Sequence, residues 1–274
     1  MKRLLLLFGL CLSCSVLRAE VHKNLPYYEK DSPRQGNLDY LENRCKLDLH
    51  LPDGEKNFPT LVWFHGGGLG GGSKYIPNEL ALDKMAVAAV NYRLSGAKAA
   101  CPDYLYDAAA AVVWVRKHIA EYGGDPSKVY VAGHSAGGYL TVMLALAPEY
   151  LKTFGANPHD FAGYFPVSGQ MTTHYRILGE RREKGQNVPD VVLDEFAPIQ
   201  RAGENAPPIT LLVGDPEVEW ASRVEENQLL YGRLKYVYKN QNIRCYSFAT
   251  FNHGSVRLPS YTVINSSMLP KKKK

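Results

Sequence analysis

Short apolar runs rich in β-formers alternate along this chain with longer stretches whose apolar positions recur every three to four residues. Thr60-Leu61-Val62-Trp63-Phe64 and Lys128-Val129-Tyr130-Val131-Ala132 read as buried strands. Ala86 to Asn91, Phe161 to Val167, Ile209 to Val213 and Ile243 to Phe248 are further predicted strands. Between them, Asp107 to Glu121 has a helical face at Ala108, Ala111, Val112, Val115 and Ile119, and Gly123-Gly124 ends it. Ala136 to Leu146 is apolar enough for a largely buried helix, and shorter helices are predicted at Pro77 to Asp83 and Ser222 to Tyr231. Gln35 to Leu51 alternates and precedes the turn Pro52-Asp53-Gly54, which predicts an early antiparallel hairpin at one sheet edge. The rhythm as a whole predicts an α/β fold, a mostly parallel central sheet with helices on both faces.

That rhythm breaks between Met171 and Asn205. The segment carries the charged run Glu180-Arg181-Arg182-Glu183-Lys184 and few strand or long-helix signals. It is expected to form a small partial cap over residues 171–205, with Met171, Tyr175 and Ile177 facing a pocket and the charges facing water. A solvated loop is the other physical reading of the charged part. No internal repeat or second domain is visible, so residues 20–270 are expected to form one domain, ordinary for a chain of 274 residues.

The ends of the chain alter the charge balance. Met1-Lys2-Arg3 is a short basic region, and Leu4 to Val16 is apolar but too short to span a bilayer. Leu17-Arg18-Ala19 then offers a small residue for cleavage before Glu20, so residues 1–19 read as a signal peptide of an exported protein, periplasmic or secreted. Cys11 and Cys14 raise lipoprotein anchoring as a further option, but the lipobox is poor because Cys11, not leucine, lies three before Cys14. Without Lys2, Arg3 and Arg18 the net charge falls from +5 to +2, and Lys271 to Lys274 form a basic tail over 271–274. A near-neutral body argues against nucleic acid as a partner. No stable membrane span is expected, and the oligomeric state is left open. Cys45, Cys101 and Cys245 cannot all pair, and no C-x-x-C spacing suggests a metal or redox couple. One disulfide or three buried free thiols remain as readings. No cofactor or metal is expected.

Two glycine-rich strings carry the chemistry. Gly133-His134-Ser135-Ala136-Gly137 follows a predicted strand and opens a predicted helix, the setting of a G-x-S-x-G nucleophile elbow. Its glycines flank a turn so tight that a side chain there would collide with neighbouring backbone. His65-Gly66-Gly67-Gly68 begins where another strand ends, and such H-G-G-G loops let bare backbone N–H groups face a developing oxyanion. Together, in this order, they point to acyl transfer with Ser135 as nucleophile.

On these strings, with Val90-Asn91-Tyr92-Arg93-Leu94, Tyr122-Gly123-Gly124-Asp125-Pro126 and weaker segments at Pro207 to Gly214 and around His253, the chain resembles the hormone-sensitive-lipase-like esterases of the α/β-hydrolase fold, close to small bacterial acetyl- and carboxylesterases. It departs from them at Leu69, where a bulky aromatic is usual, and in the triad acid. The resemblance implies the order Ser, acid, His. Of the histidines only His253 follows the last predicted strand, which makes it the expected base. His65 is expected to hold the oxyanion loop, and His134 to pack beside the serine. For the acid, Asp215 is the commoner residue type, whereas the G-x-x-D offset of the resembling enzymes selects Glu217; Glu217 is preferred, with Asp215 its rival. The oxyanion donors implied are the N–H groups of Gly67, Gly68 and Ala136. The expected function is a serine carboxylic-ester hydrolase working through an acyl-enzyme on short-chain, chiefly acetyl, esters of small molecules or glycans. An arylformamidase- or peptidase-like hydrolase is the alternative, and a non-catalytic binding protein ranks below both, because neither serine, base nor oxyanion glycines are missing.

Overall fold

A computed structural model describes residues 20–269; the signal-peptide reading of 1–19 and the basic tail 271–274 lie outside those residues. The strands are β1 (Glu20–Pro26), β2 (Lys46–Leu51), β3 (Phe58–Phe64), β4 (Ala86–Val90), β5 (Gly124–His134), β6 (Gly163–Val167), β7 (Ile209–Val213) and β8 (Ile243–Ser247). The helices are α1 (Leu38–Arg44), α2 (Asp103–His118), α3 (Ala136–Leu146), α4 (Pro148–Lys152), α5 (Tyr175–Glu183), α6 (Arg223–Gly232) and α7 (Arg257–Met268). All eight strands form one sheet in the order β1-β2-β4-β3-β5-β6-β7-β8. β2 runs antiparallel to both β1 and β4, and every pairing from β4 to β8 is parallel. The mostly parallel α/β-hydrolase sheet expected from the sequence is therefore present.

Side-chain alternation along the buried strands divides the core in two. From β3, Val62 and Phe64 point to the face covered by α2, α3 and α6, while Leu61 and Trp63 point to the other face. That second face is closed by Val256 and by α7, through Tyr261, Ile264 and Met268, and by the Leu80–Met85 stretch. Helices cover both faces, but unequally.

Three local expectations need correction. Residues 35–51 do not form a hairpin: α1 occupies Leu38–Arg44, because the Asn37 side chain accepts from the Tyr40 N–H at 2.9 Å and caps a helix there. The antiparallel partner of β2 is β1. The stretch Pro77 to Asp83 forms turns rather than a helix, with the Ala81 N–H satisfied by the Asn265 side chain on α7 at 3.1 Å. The charged run of α5 also does not all face water. Glu180 is buried, accepting from the Ser95 hydroxyl at 2.5 Å and the Cys101 N–H at 2.9 Å, and so pins α5 to the loop after β4. In the same segment Met171 and Ile177 are buried, whereas Tyr175 is 45% exposed. Cys45, Cys101 and Cys245 are free thiols.

The loop leaving β4 is fixed by a buried ion pair. Arg93 is fully buried and its Nε and Nη2 reach the Asp107 carboxylate of α2 at 2.8–3.1 Å. Asp107 also accepts from the Arg93 N–H at 2.8 Å and the Tyr28 hydroxyl at 2.7 Å. Removing one member of such a pair strands the other charge in the core, at a cost of about 3–5 kcal/mol. Asp107→Ala is accordingly expected to lower the free energy of unfolding by about that much in urea titration, and a loss below 1 kcal/mol would contradict this account.

Candidate active site

β5 ends at His134 and α3 begins at Ala136, leaving Ser135 alone to reverse the chain. It does so at φ 57° and ψ −114°, a conformation side-chain-bearing residues rarely adopt, as the elbow motif requires. The turn brings Gly137 so close to the Phe64 carbonyl at the end of β3 that any Cβ would overlap it. α3 is thereby seated with its first N–H, that of Ala136, at the unsatisfied end of the helix. Ser135 itself stays mostly buried, and its N–H is anchored to the Val167 carbonyl of β6 at 2.8 Å.

The structure brings His253 to this serine: its Nε2 lies 2.9 Å from Ser135 Oγ. On the other side of the ring, Nδ1 lies 2.6 Å from an oxygen of Glu219. The expected acid is therefore corrected. Glu217 is exposed and makes no contact with His253, and Asp215 is engaged elsewhere. The reason is a turn. Asp215 caps a single helical turn, its carboxylate accepting from the Glu217 N–H at 3.0 Å while its carbonyl accepts from the Glu219 N–H at 2.8 Å. That turn lengthens the excursion after β7, so the carboxylate reaching the base comes five residues after Gly214 rather than three. The same Asp215 carboxylate accepts from the Thr250 N–H at 2.5 Å, and the Asp215 N–H donates to the Phe251 carbonyl at 2.9 Å, stitching this loop to the one that carries His253.

Glu219 is well placed to stay ionised. Burial pushes its carboxyl upward, but hydrogen bonds from His253, from the Trp220 N–H at 2.9 Å and from the Ser168 hydroxyl at 2.8 Å outweigh burial and hold it below the ordinary carboxylate range. Ser168, fully buried at the end of β6, also lies 3.1 Å from His253 Nδ1. Trp220 stacks flat on the imidazole, ring centroids 3.8 Å apart and planes 13° from parallel. Neither Ser168 nor Trp220 was expected from the sequence, since each acts through a contact between distant loops. A signal for Glu219 is present in the sequence: an Asp-Pro pair opens helical turns, which identifies Asp215 as a cap and moves the acid further along the loop.

The glycine loop is held from behind. Gly67, Gly68 and Leu69 all have positive φ, with Leu69 fully buried. His65 Nδ1 donates to the Gly66 carbonyl at 2.6 Å, and its ring stacks on Tyr92 at 4.5 Å. The Tyr92 hydroxyl donates to the His65 carbonyl at 3.0 Å, and Arg44 donates to the Gly72 carbonyl at 2.6 Å and the Tyr92 carbonyl at 3.1 Å. From the 171–205 segment, the Tyr175 hydroxyl packs directly on Gly68. His134 does more than pack beside the serine, as its Nε2 donates to the His253 carbonyl at 2.6 Å and so ties the base to the elbow. Among the described residues no cluster of His, Cys, Asp and Glu could hold a metal ion.

The sequence profile of the BD-FAE family matches residues 47–200, which contain the glycine loop and the elbow. The chain belongs to the BD-FAE family. Among curated relatives, mouse carboxylesterase 1F is 38% identical over 158 residues, covering 53% of this chain and 28% of that protein. The para-nitrobenzyl esterase of Bacillus subtilis is 39% identical over 132 residues, covering 42% and 26%. The BD-FAE chain thus spans less than a third of the length of these relatives. In fold it is similar to a truncated carbohydrate esterase from gut microbiota, with a TM-score of 0.69, 17% identity and coverage of 93% and 96%. It is likewise similar to Thermogutta terrifontis esterase 2 phosphorylated by paraoxon, with a TM-score of 0.67, 20% identity and coverage of 91% and 93%.

Burial holds three histidines around this site neutral. It lowers His65 and His134 to about 4 and His174 to about 3, from an ordinary 6.5. The unfolded chain therefore binds protons that the native chain refuses as pH falls from 6.5 toward 4, and native stability drops through that window. The melting temperature should fall steeply between pH 6.5 and 4, and His174→Gln should flatten the slope. A flat profile over that range would refute the assignment.

Proposed function

We propose that the protein is a serine carboxylic-ester hydrolase that works through an acyl-enzyme on short-chain, chiefly acetyl, esters, including esters of carbohydrates. The observation that carries this reading is the continuous line Ser135 Oγ, His253, Glu219, at 2.9 and 2.6 Å, beside the glycine loop. His253 Nε2 takes the Ser135 proton as Oγ attacks the ester carbonyl carbon. Glu219 holds the ring with Nε2 facing the serine and stabilises the imidazolium that forms. The N–H groups of Ala136, Gly67 and Gly68 receive the oxyanion, each such donor being worth about a hundred- to a thousandfold in rate. The C–O bond to the alcohol then breaks, and the proton on His253 passes to the departing oxygen. Water, deprotonated by the same nitrogen, attacks the acyl-enzyme and releases the acid, restoring the Ser135 hydroxyl.

The preference for short acyl groups is supported by what overhangs the glycine loop. Tyr175 sits on Gly68, and of the five buried residues just before it Gln170, Thr172, Thr173 and His174 are polar and Met171 alone is apolar. Each extra acyl CH₂ would find little apolar surface to gain its usual ~0.8 kcal/mol.

A series of p-nitrophenyl esters from acetyl to decanoyl, run beside acetylated xylan and an aryl formamide, tests the reading. We expect kcat/KM to fall beyond about four to six acyl carbons; a rise out to decanoyl would refute the short-chain assignment, and faster turnover of the formamide would refute the ester one. Ser135→Ala should lose about a millionfold in kcat while remaining folded. Glu219→Gln should lower kcat by about three to four orders of magnitude, whereas Glu217→Gln should leave it within about threefold, since that carboxylate touches neither base nor serine. The reverse ranking of the two glutamines would overturn the role given to Glu219.

A further inference from the structure

Arg223, the first residue of α6, is a buried cation that leaves two of its guanidinium nitrogens without a hydrogen-bond partner among the described residues. It is 6% exposed, and those two nitrogens, Nε and Nη1, are shielded from solvent. Burial pulls its guanidinium below the ordinary arginine range, against the opposing pull of Glu226, Glu219 and Tyr175. Both carboxylates are committed elsewhere. Glu219 accepts from His253, Ser168 and the Trp220 N–H. Glu226 accepts from the N–H groups of Met171 and Thr172 and from the Thr172 hydroxyl, at 2.7 to 3.3 Å. A neighbouring acceptor is idle as well: Asn227 Oδ1 is buried and unpartnered, although its amide nitrogen donates to the Gly169 and Arg223 carbonyls.

An unpaired charge that deep costs far more than a paired one, so folds seldom keep it without a use. Its location supplies the use. The guanidinium carbon lies 5.8 Å from the centre of the Trp220 ring, and the same ring is stacked on His253. The Arg223 charge also weighs on the His174 imidazole, whose ring stacks on Tyr175 at 4.5 Å, and the Tyr175 hydroxyl rests on Gly68 of the glycine loop. Arg223 therefore stands against the ring that is stacked on the base.

We infer that Arg223 is a specificity residue that binds a carboxylate carried by the ester substrate. The guanidinium offers a charge-assisted donor pair whose planar geometry matches a carboxylate, and the ligand would supply the acceptors that Nε and Nη1 lack. The inference rests on the hydrolytic reading for the word substrate, but the site is defined by the unpaired cation alone.

Two matched pairs separate the carboxylate's source. On the acyl side, 4-nitrophenyl hydrogen succinate is compared with 4-nitrophenyl butyrate; on the alcohol side, 4-acetoxybenzoate is compared with 4-acetoxybenzamide. The charged member should be preferred in kcat/KM in one pair. Arg223→Gln should cut that preference ratio by about ten- to a hundredfold, through KM, and Arg223→Lys should restore part of it. A wild-type ratio at or below one in both pairs, or a ratio unchanged in folded Arg223→Gln and Arg223→Met, would overturn the inference. Calorimetric titration of Ser135→Ala with succinate and with 4-hydroxybenzoate makes the test independent of turnover. Binding of one that disappears in the Ser135→Ala, Arg223→Gln double variant supports the site even if no ester is cleaved, in which case only the hydrolytic reading fails. Binding of neither counts against the site whatever the activity.

Discussion

Everything at this site hangs on how closely α3 can approach the sheet. The chain turns from β5 into α3 in one residue, and it can do so only because Gly137 rests against the Phe64 carbonyl with no room for a side chain. That single contact sets the height of Ser135 above the strand ends, the position of the Ala136 N–H and the distance from elbow to glycine loop, since Phe64 immediately precedes His65. A methyl group at Gly137 would push the helix off β3 and dismantle all three at once. The strain held at Ser135 is sustained by this packing and by the β6 carbonyl that anchors its N–H.

Around the elbow, electrostatics is arranged in shells of different character. Close to the base the groups are polar and fully engaged, so that Glu219 keeps its charge despite burial. Behind the glycine loop, Arg44, Tyr92 and His65 bind backbone carbonyls and leave the loop's N–H groups alone. Farther out, the Arg93–Asp107 pair locks the loop that presents Tyr92. Arg93 is thus fully paired, whereas Arg223, the other buried arginine among the described residues, leaves Nε and Nη1 without a partner.

What the sequence disclosed and what it hid divide by range. The elbow and the glycine loop are local: a strand, a turn that tolerates only glycine and a helix follow each other within a few residues, so residue type and order sufficed to locate Ser135, Gly67 and Gly68. His253 was reachable by order along the chain. The acid was not, because its offset depends on a turn capped by Asp215, and an offset borrowed from resembling enzymes skipped that turn and landed on Glu217. The same cause explains α1, where an Asn37 cap overrode an alternating pattern that reads as strand. It also explains Glu180, whose charge predicted water but whose partners, Ser95 and Cys101, lie some eighty residues earlier. α7 escaped notice because its apolar residues, spaced from Leu258 to Met268, are interleaved with serines and threonine.

The stitching between the Asp215 and His253 loops has a mechanical consequence. Asp215 grips the Thr250 and Phe251 backbone, and Glu219 and Ser168 grip the imidazole, so acid and base are braced as one rigid member hung from the ends of β6, β7 and β8. The nucleophile belongs to another member, β5 with α3. The joint is spanned by the bond from the His134 ring to the His253 carbonyl, by the Ser135 N–H on the Val167 carbonyl of β6 and by the Ser135–His253 contact itself. Any relative displacement of the two members therefore changes the serine–imidazole distance before it changes the imidazole–carboxylate distance.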